Sequence, residues 1–339
     1  MSFNSKKGMG TLFRVVGFVV GLALFYFSIS QFGGFRAVAS YFRLVGWGYL
    51  AVIFNSFIGV MLFARAWYLY LEDHHHLLSY PALLKLRICG EAVNFMTPLG
   101  FAAGDPVRLL LLRKYLGHSS HLRSVVIDRI MHLLAAYLFC LTGSLLLFFQ
   151  PVIFPRWLTL TMLALYGFLF GSIGFLVVEL LQGKGLSFVE YVISWLTPLK
   201  KFPKVIEFVN ELRSDLSFYA DKPKGPFVLS FFLHFAGRLL GGVEIALILY
   251  FIQGDPKWDF AFMLAAVTSL VAVLFGFIPG ALGVLETVYA QFFMANGLSP
   301  EMGITVQLIR RLRIMFWIGV GVFVVDYHDI ISHFRKKKT

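Results

Sequence analysis

Charged residues are scarce in this chain. Only 14% of its 339 residues are charged, against roughly 25% in an average soluble domain, and 58% are hydrophobic. The apolar runs are nearly contiguous, so no stretch is left that is large enough for a separate globular domain. The composition predicts an all-α polytopic membrane protein with a single membrane domain over residues 1–339.

Cysteines and the common catalytic motifs are also scarce. Cys89 and Cys140 are the two cysteines, and neither belongs to a CxxC pair, so no disulfide framework or metal site is indicated. Three consecutive histidines at 74–76 lack the i, i+4 spacing of a helical zinc site and indicate ordinary loop use. No Walker loop, GxSxG elbow or HExxH motif occurs. We therefore expect no metal and no cofactor, and the sequence carries neither an ATPase nor a hydrolase signature.

The formal net charge of +12 has its origin in the connections between the apolar runs. Lys and Arg gather at the N-terminus, in the connection at about 182–225 and in the tail at 335–338. The positive-inside rule and anionic lipid headgroups account for such clusters. We expect anionic headgroups rather than nucleic acid as partners, and both termini in the cytoplasm. The 182–225 connection is predicted to form an amphipathic cytoplasmic helix.

Six segments are long and apolar enough for full crossings. They are about 11–30, 45–71, 125–149, 158–181, 226–252 and 303–326. The first is expected to be a retained span, since no convincing signal cleavage pattern closes it. Two further segments, about 80–117 and 259–297, are broken near the middle by proline and glycine. Each predicts a re-entrant hairpin of two half-helices, the first entering from the cytoplasm and the second from outside.

The two breaks resemble each other. In Pro98–Asp105 and in Pro279–Glu286 an acid follows seven positions after a proline, and the two prolines are 181 residues apart. The same offset relates Arg129 to Arg310. These matches predict an inverted repeat, with repeat one at about 45–149 and repeat two at about 226–326, and a site near the bilayer midplane. The alternative is that any two broken apolar segments look alike.

Polar residues gather around the first break. Glu91 and Asn94 share one face of the first half-helix, and Asp105 and Arg108 repeat that spacing in the second. Asp105 before Pro106 is typical of a helix N-cap followed by proline at N1. The free N–H groups of that helix start, with Arg108, would suit a phosphate. Alternatively, Asp105 only caps the helix and pairs with Arg108.

The second break has Tyr289 where the first has Arg108, so the predicted site is asymmetric. Arg129 and Arg310 are expected to pair with Asp105 or Glu286, or with a substrate phosphate, because an unpaired arginine inside a membrane is costly. Snorkelling to the interface is expected for Arg311 and Arg313. Arg65 and Arg238 fall in the leading spans and could line the same cavity. The predicted substrate-binding residues are Glu91, Asn94, Asp105, Arg108, Arg129, Glu286 and Arg310, with no catalytic residue.

These motifs resemble the lysylphosphatidylglycerol synthetase transmembrane, or flippase-like, family over most of the chain. The residues that carry the resemblance are Asn94-x-x-x-Pro98, Gly104-Asp105-x-x-Arg108, Gly117, Asp128-Arg129, Ile278-Pro279-x-x-x-Gly283-Val284-x-Glu286, Gly297-Leu298-Ser299 and Arg310. The chain departs from the family pattern at Asp105, where glutamate is frequent, and at His132, where an acid often follows the arginine.

The resemblance implies lipid translocation without lipid synthesis, since no acyltransferase-like domain is expected after the last span. The leading hypothesis is a multi-pass flippase or lipid transporter of the bacterial inner (cytoplasmic) membrane, not an enzyme. A membrane phospholipid, or a related lipid with a polar headgroup, would cross through a polar cavity between the hairpins. Alternatives are an ion-coupled transporter of a small polar solute, and a membrane enzyme or accessory subunit acting on lipid-linked precursors. A homo-oligomer is left open.

Overall fold

The computed structural model describes residue 26 and the ranges 34–74, 76–96, 104–113, 115, 118–149, 156–182, 218–275 and 278–324. In this part of the chain there are ten α-helices, two short 3₁₀ turns and no strand. The helices are α1 (Gly34–Val45), α2 (Gly48–Tyr68), α3 (Tyr80–Met96), α4 (Gly104–Leu112), α5 (His118–Phe149), α6 (Arg156–Leu181), α7 (Gly225–Gln253), α8 (Trp258–Leu274), α9 (Val284–Ala295) and α10 (Pro300–Val324). The 3₁₀ turns are Leu69–His74 and Pro279–Ala281.

Three predicted elements lie wholly or largely outside the described residues. They are the first span at about 11–30, most of the 182–225 connection, and the basic tail at 335–338. The tip of the first hairpin, residues 97–103, lies outside them as well.

Four of the predicted crossings are long, apolar helices in the structure. They correspond to α2 with its 3₁₀ extension, α5, α6 and α7, each of which could cross a membrane by length and composition. The fifth, α10, has 25 residues but carries three arginines near its middle. Large apolar side chains such as Phe54, Phe168 and Phe323 are exposed on the helix surfaces, as suits contact with lipid. The predicted all-α membrane fold is confirmed.

Helices α2 and α7 form an antiparallel pair at the centre. Gly48, at the start of α2, lies against the ring of Phe251 near the end of α7. Towards the other end of the pair, the ring of Phe63 packs on Gly237, where a Cβ atom would overlap the ring. Glycine thus lets α7 and an aromatic ring of α2 approach closely.

The two hairpins open at opposite ends of this pair. The α3–α4 hairpin begins near the C-terminal end of α2, where Tyr80 Oη donates a hydrogen bond to the Met61 carbonyl at 2.9 Å. The α8–α9 hairpin begins just after Gly254, which ends α7 in a left-handed conformation with φ of 76°. Because α2 and α7 are antiparallel, these two entry points lie at opposite ends of the bundle, as the predicted inverted repeat requires.

Each hairpin also packs against the closing helix of the other predicted repeat. Helix α3 crosses α10, where Ala92 lies against Gly321, and α8 crosses α5, where Ala266 lies against Gly143. Small residues at both crossings let the backbones approach, which is how membrane helices commonly associate. Each hairpin thus contacts the closing helix of the other repeat. The exact repeat boundaries stay predictions.

Helices α3 and α4, the two halves of the first hairpin, cross each other closely. A Cβ atom at Gly104 would overlap the carbonyl oxygen of Gly90, and one at Gly90 would lie 2.5 Å from Arg108 Nε. The hairpin therefore needs glycine at position 104, because the backbone of Gly90 cannot move aside. At Gly90 the buried side chain of Arg108 would have to shift.

This crossing gives a stability prediction. Gly104→Ala should lower the thermal unfolding midpoint of the purified protein in detergent, with a cost of about 1–3 kcal/mol from overpacking. The matched control is Gly171→Ala in α6, where nothing lies within 4 Å of the added Cβ. The control should unfold at or slightly above the wild-type temperature, because alanine favours helix over glycine. Equal midpoints for the two variants would contradict the tight crossing.

Candidate functional site

Three carboxylates and their arginines hold the first hairpin against α5. Arg108 donates to Glu91 Oε1 at 2.6 Å through Nη2 and to Asp105 Oδ1 at 3.1 Å through Nη1. Arg87 Nη1 donates to Asp128 Oδ2 at 2.6 Å, and Arg87 Nε lies 3.2 Å from Glu91 Oε1. We call these residues, with Arg129, the first-hairpin cluster. It joins α3, α4 and α5 through charge-assisted hydrogen bonds.

Arg129 and Asp105 form the accessible edge of this cluster. Arg129 binds the carboxylate in a bidentate way, with Nε and Nη2 each 2.7 Å from an Asp105 oxygen. Their side chains are 18% and 19% exposed, whereas Arg108 is only 1% exposed. The expected pairing of Arg129 with Asp105 is therefore present. Arg108, which we expected to help bind a phosphate, is buried behind that pair.

The second half-helix begins differently from the prediction. Asp105 lies within the first turn of α4 and uses its carboxylate for Arg108 and Arg129, so it is not the N-cap. Instead, Asn94 of α3 accepts the N–H of Gly104 through Oδ1 at 2.6 Å. Asn94 Nδ2 also donates to Glu91 at 3.3 Å. A side chain from the opposite half-helix thus satisfies the helix start, which leaves Asp105 available for cations.

Two buried histidines extend the cluster towards α7. His234 Nε2 lies 3.0 Å from Asp128 Oδ1, and the Nδ1 atoms of His132 and His234 are 3.2 Å apart. Arg238 Nη2 contacts His132 Nε2. The ring of Phe63 packs on both imidazoles, with centroid distances of 5.0 and 5.5 Å.

Sequence reasoning missed most of this extension. Neither His234 nor Arg87 was among the predicted site residues, although Arg87 is only 1% exposed inside α3. A usable signal was present, since Asp128 and His132 lie four residues apart in one apolar helix, and His234 and Arg238 do so in another. Such i, i+4 polar pairs lie on one helix face.

The first-hairpin cluster with the two histidines and Arg238 carries an excess of positive charge. Its arginines are Arg87, Arg108, Arg129 and Arg238, and its carboxylates are Glu91, Asp105 and Asp128. With neutral histidines the four cations exceed the three anions by one. Positive charge without a partner is costly in a membrane interior, so the region favours binding of an anion.

A second cluster lies between α7, α9 and α10. Arg313 Nε and Arg310 Nε approach the same Glu244 oxygen at 3.0 and 3.4 Å, and Arg310 also donates to Tyr289 Oη. The two arginine side chains are 18% and 20% exposed, and Glu244 is buried. Two cations therefore share one carboxylate, and this cluster, which we call the Glu244 cluster, also has an excess positive charge.

Glu286 pairs with Arg311, not with Arg310 as expected. Arg311 binds both carboxylate oxygens of Glu286, with Nη2 at 3.0 Å from Oε2, and it also donates to the carbonyl of Gly280 at 3.2 Å. Glu286 Oε2 accepts the N–H of Gly283 at 2.8 Å. The expectation that Arg311 snorkels is wrong, because its guanidinium fixes the tip of the second hairpin. Arg311 is therefore the structural counterpart of Arg129.

The two clusters lie on either side of the middle of α7, where a single shared site was expected. Arg238 and Glu244 are six residues apart in this helix, which at 1.5 Å per residue is about 9 Å along its axis. Among the described residues no ion pair joins the clusters. Nor do three or more His, Cys, Asp or Glu side chains of this part of the chain group to hold a metal ion.

Comparison with known proteins gives matches over most of the chain. Residues 14–322 match the family described as the lysylphosphatidylglycerol synthase TM region. A UPF0104 membrane protein of Pyrococcus horikoshii is 23% identical over 304 residues, covering 83% of this chain and 88% of that relative. A UPF0104 membrane protein of Methanothermobacter thermautotrophicus is 25% identical over 268 residues, covering 72% and 75%. No solved structure gives a significant match.

The buried Glu286 site yields a second stability prediction. Glu286→Gln should lower the unfolding midpoint in detergent by the equivalent of about 1–3 kcal/mol, because the partly exposed charge of Arg311 loses its carboxylate partner. Asp259→Asn removes an exposed acid from the first turn of α8 and is the matched control. If both variants unfold at the wild-type temperature, the Glu286–Arg311 pair does not hold the hairpin tip.

Proposed function

This chain belongs to the family of the lysylphosphatidylglycerol synthase transmembrane region, and from that premise we propose that it moves a phospholipid, or a related lipid with a polar headgroup, across the membrane. Membership and the helical membrane fold establish an integral membrane protein of this type. The transport activity is the proposal, and it rests on the geometry of the two charged clusters.

The pair formed by Arg129 and Asp105 is the observation that carries the proposal. A guanidinium that holds a carboxylate through two parallel hydrogen bonds can hold two phosphate oxygens in the same way. Because the pair is partly exposed, a lipid phosphate can replace Asp105 on Arg129 without first opening the bundle. The released Asp105 keeps a partner, since Arg108 lies 3.1 Å from its Oδ1.

The Glu244 cluster supplies a second binding site for the same headgroup. Arg310 and Arg313 are partly exposed and share the carboxylate of Glu244. They lie on the opposite side of the middle of α7 from Arg129. An anionic headgroup could therefore pass between two cationic binding sites while its acyl chains stay beside the apolar outer surface. Repeats that enter from opposite ends provide a comparable binding site for each side of the membrane.

The remaining predicted site residues receive supporting roles in this proposal. Arg108 and Asn94 hold Glu91 and the start of α4 in place, and Glu286 with Arg311 fixes the second tip. We propose a transporter and not an enzyme, because the accessible polar groups are paired cations and anions suited to reversible binding.

The proposed location is the cytoplasmic, or inner, membrane with both termini in the cytoplasm. The support for this orientation is the basic composition of the two termini and of the 182–225 connection. The proposed partners are a membrane phospholipid and anionic headgroups.

A transport assay tests the role of Arg129. The purified protein is placed in liposomes with fluorescently labelled phosphatidylglycerol, and movement between leaflets is followed by chemical quenching of the outer leaflet. Arg129→Gln should slow the movement about tenfold or more, since a charge-assisted contact is worth about 1.5–3 kcal/mol. Arg156→Gln, which removes an exposed arginine at the start of α6, should leave the rate unchanged. No movement by the wild type, or equal rates for both variants, would contradict the proposal.

A further inference from the structure

We infer that the two buried histidines pass a proton to Asp128, so that this protein couples the movement of an anionic lipid to the movement of protons. The inference rests on the proposed function and adds a coupling ion to it. It is carried by the arrangement of four side chains on α5 and α7.

Two i, i+4 pairs from neighbouring helices interdigitate. Asp128 and His132 come from α5, and His234 and Arg238 come from α7. Their contacts run in the order Asp128, His234, His132, Arg238, with 3.0 Å between the first two, 3.2 Å between the imidazoles, and a direct contact of Arg238 with His132. Both histidines are buried. The result is a continuous hydrogen-bonded chain away from solvent.

The ends of this chain determine the direction of every hydrogen bond. A guanidinium can only donate, so His132 Nε2 carries no proton and accepts from Arg238. An ionised carboxylate can only accept, so His234 Nε2 carries a proton and donates to Asp128. A neutral His234 then has a bare Nδ1, which accepts from the Nδ1–H of His132. One arrangement of two neutral imidazoles satisfies all three contacts.

Such a chain can pass a proton by three linked transfers. When Arg238 turns away, an incoming proton forms an N–H bond at His132 Nε2. The Nδ1–H bond of His132 breaks, and its proton forms the Nδ1–H bond of His234. The Nε2–H bond of His234 then breaks, and its proton forms an O–H bond on Asp128. The net change is one proton taken up and one carboxylate neutralised, with both rings neutral again. Release runs the transfers in reverse.

Asp128 is the proton acceptor at the end of the hydrogen-bonded chain, and Arg87 and Arg108 beside it favour its ionised form. The charged groups facing the histidines are Arg87 from α3, Asp128 and Arg129 from α5, and Arg238 from α7. Arg108 of α4 and Tyr70 beyond the end of α2 lie near Asp128, and Glu91 lies beside Arg87. The arginines repel positive charge from either ring, whereas Asp128 attracts it. From α2 itself the neutral ring of Phe63 covers both imidazoles.

Protonation of Asp128 changes the site where the headgroup is proposed to bind. Arg87 bridges Asp128 and Glu91, and Glu91 in turn holds Arg108. A neutral Asp128 adds one positive charge to a region that already has one in excess, so an anion binds more tightly. By linkage, a bound anion also makes the protonated state more favourable. The proton and the headgroup therefore move in the same direction.

An imposed pH difference tests this coupling. Proteoliposomes carry labelled phosphatidylglycerol and a trapped pH indicator, and the membrane potential is held at zero. For one proton per lipid, a difference of one pH unit should drive the wild type to an approximately tenfold excess of label in the leaflet facing the alkaline side. His132→Gln and His234→Gln should leave the ratio near one. His76→Gln, an exposed loop histidine, is the control and should match the wild type.

The unfolding midpoint of each variant is measured first, so that a variant that fails to fold is replaced by its asparagine counterpart. Accumulation in the wild type and its loss in the histidine variants support the inference. If label moves in the wild type independently of the pH difference, or if the histidine variants also accumulate label, the inference of proton coupling is overturned and the proposed function still stands. Proton flux that depends on the histidines without lipid movement supports the relay and rejects the lipid as cargo. If neither protons nor lipid move, both proposals are rejected.

Discussion

Asp128 accepts hydrogen bonds from Arg87 on α3 and from His234 on α7, while its own backbone belongs to α5. Arg108 of α4 approaches the same carboxylate at 3.9 Å. Inside a membrane such groups cannot turn to water for solvation, so each charge must find its partner within the bundle. One carboxylate thereby joins a re-entrant hairpin to two long helices of the bundle.

The same requirement explains how the two halves resemble each other and how they differ. In both, an acid at the start of the second half-helix binds an arginine of the following helix through two oxygens. Asp105 is partly exposed with its arginine, whereas Glu286 is buried and also accepts a backbone N–H. One motif therefore forms an accessible ion pair in the first half and fixes a hairpin tip in the second.

Excess positive charge is the property that links fold and proposed function. The first-hairpin cluster together with Arg238 has one more arginine than carboxylates, as has the Glu244 cluster, and each region keeps some of its arginines partly exposed. A bundle that only needed stability would gain from full neutralisation, because an unpaired charge in the interior costs free energy. An anionic headgroup provides the missing negative charge. A proton passed by the neighbouring histidines to Asp128 raises the excess positive charge by one.

The sequence by itself predicted the crossings that the structure describes, the two broken hairpins and their opposite entry, because hydropathy, glycine and proline breaks and charge are local properties. It left open whether Asp105 or Glu286 pairs with Arg129. It wrongly favoured Arg310 over Arg311 as the partner of Glu286. One residue in an α-helix turns the side chain by about 100°, so a one-residue shift between the repeats exchanges their roles. The hydrogen-bonded histidine pair depended wholly on the tertiary structure, since the contacting residues are 102 to 106 positions apart in the sequence and meet only where α5 packs against α7.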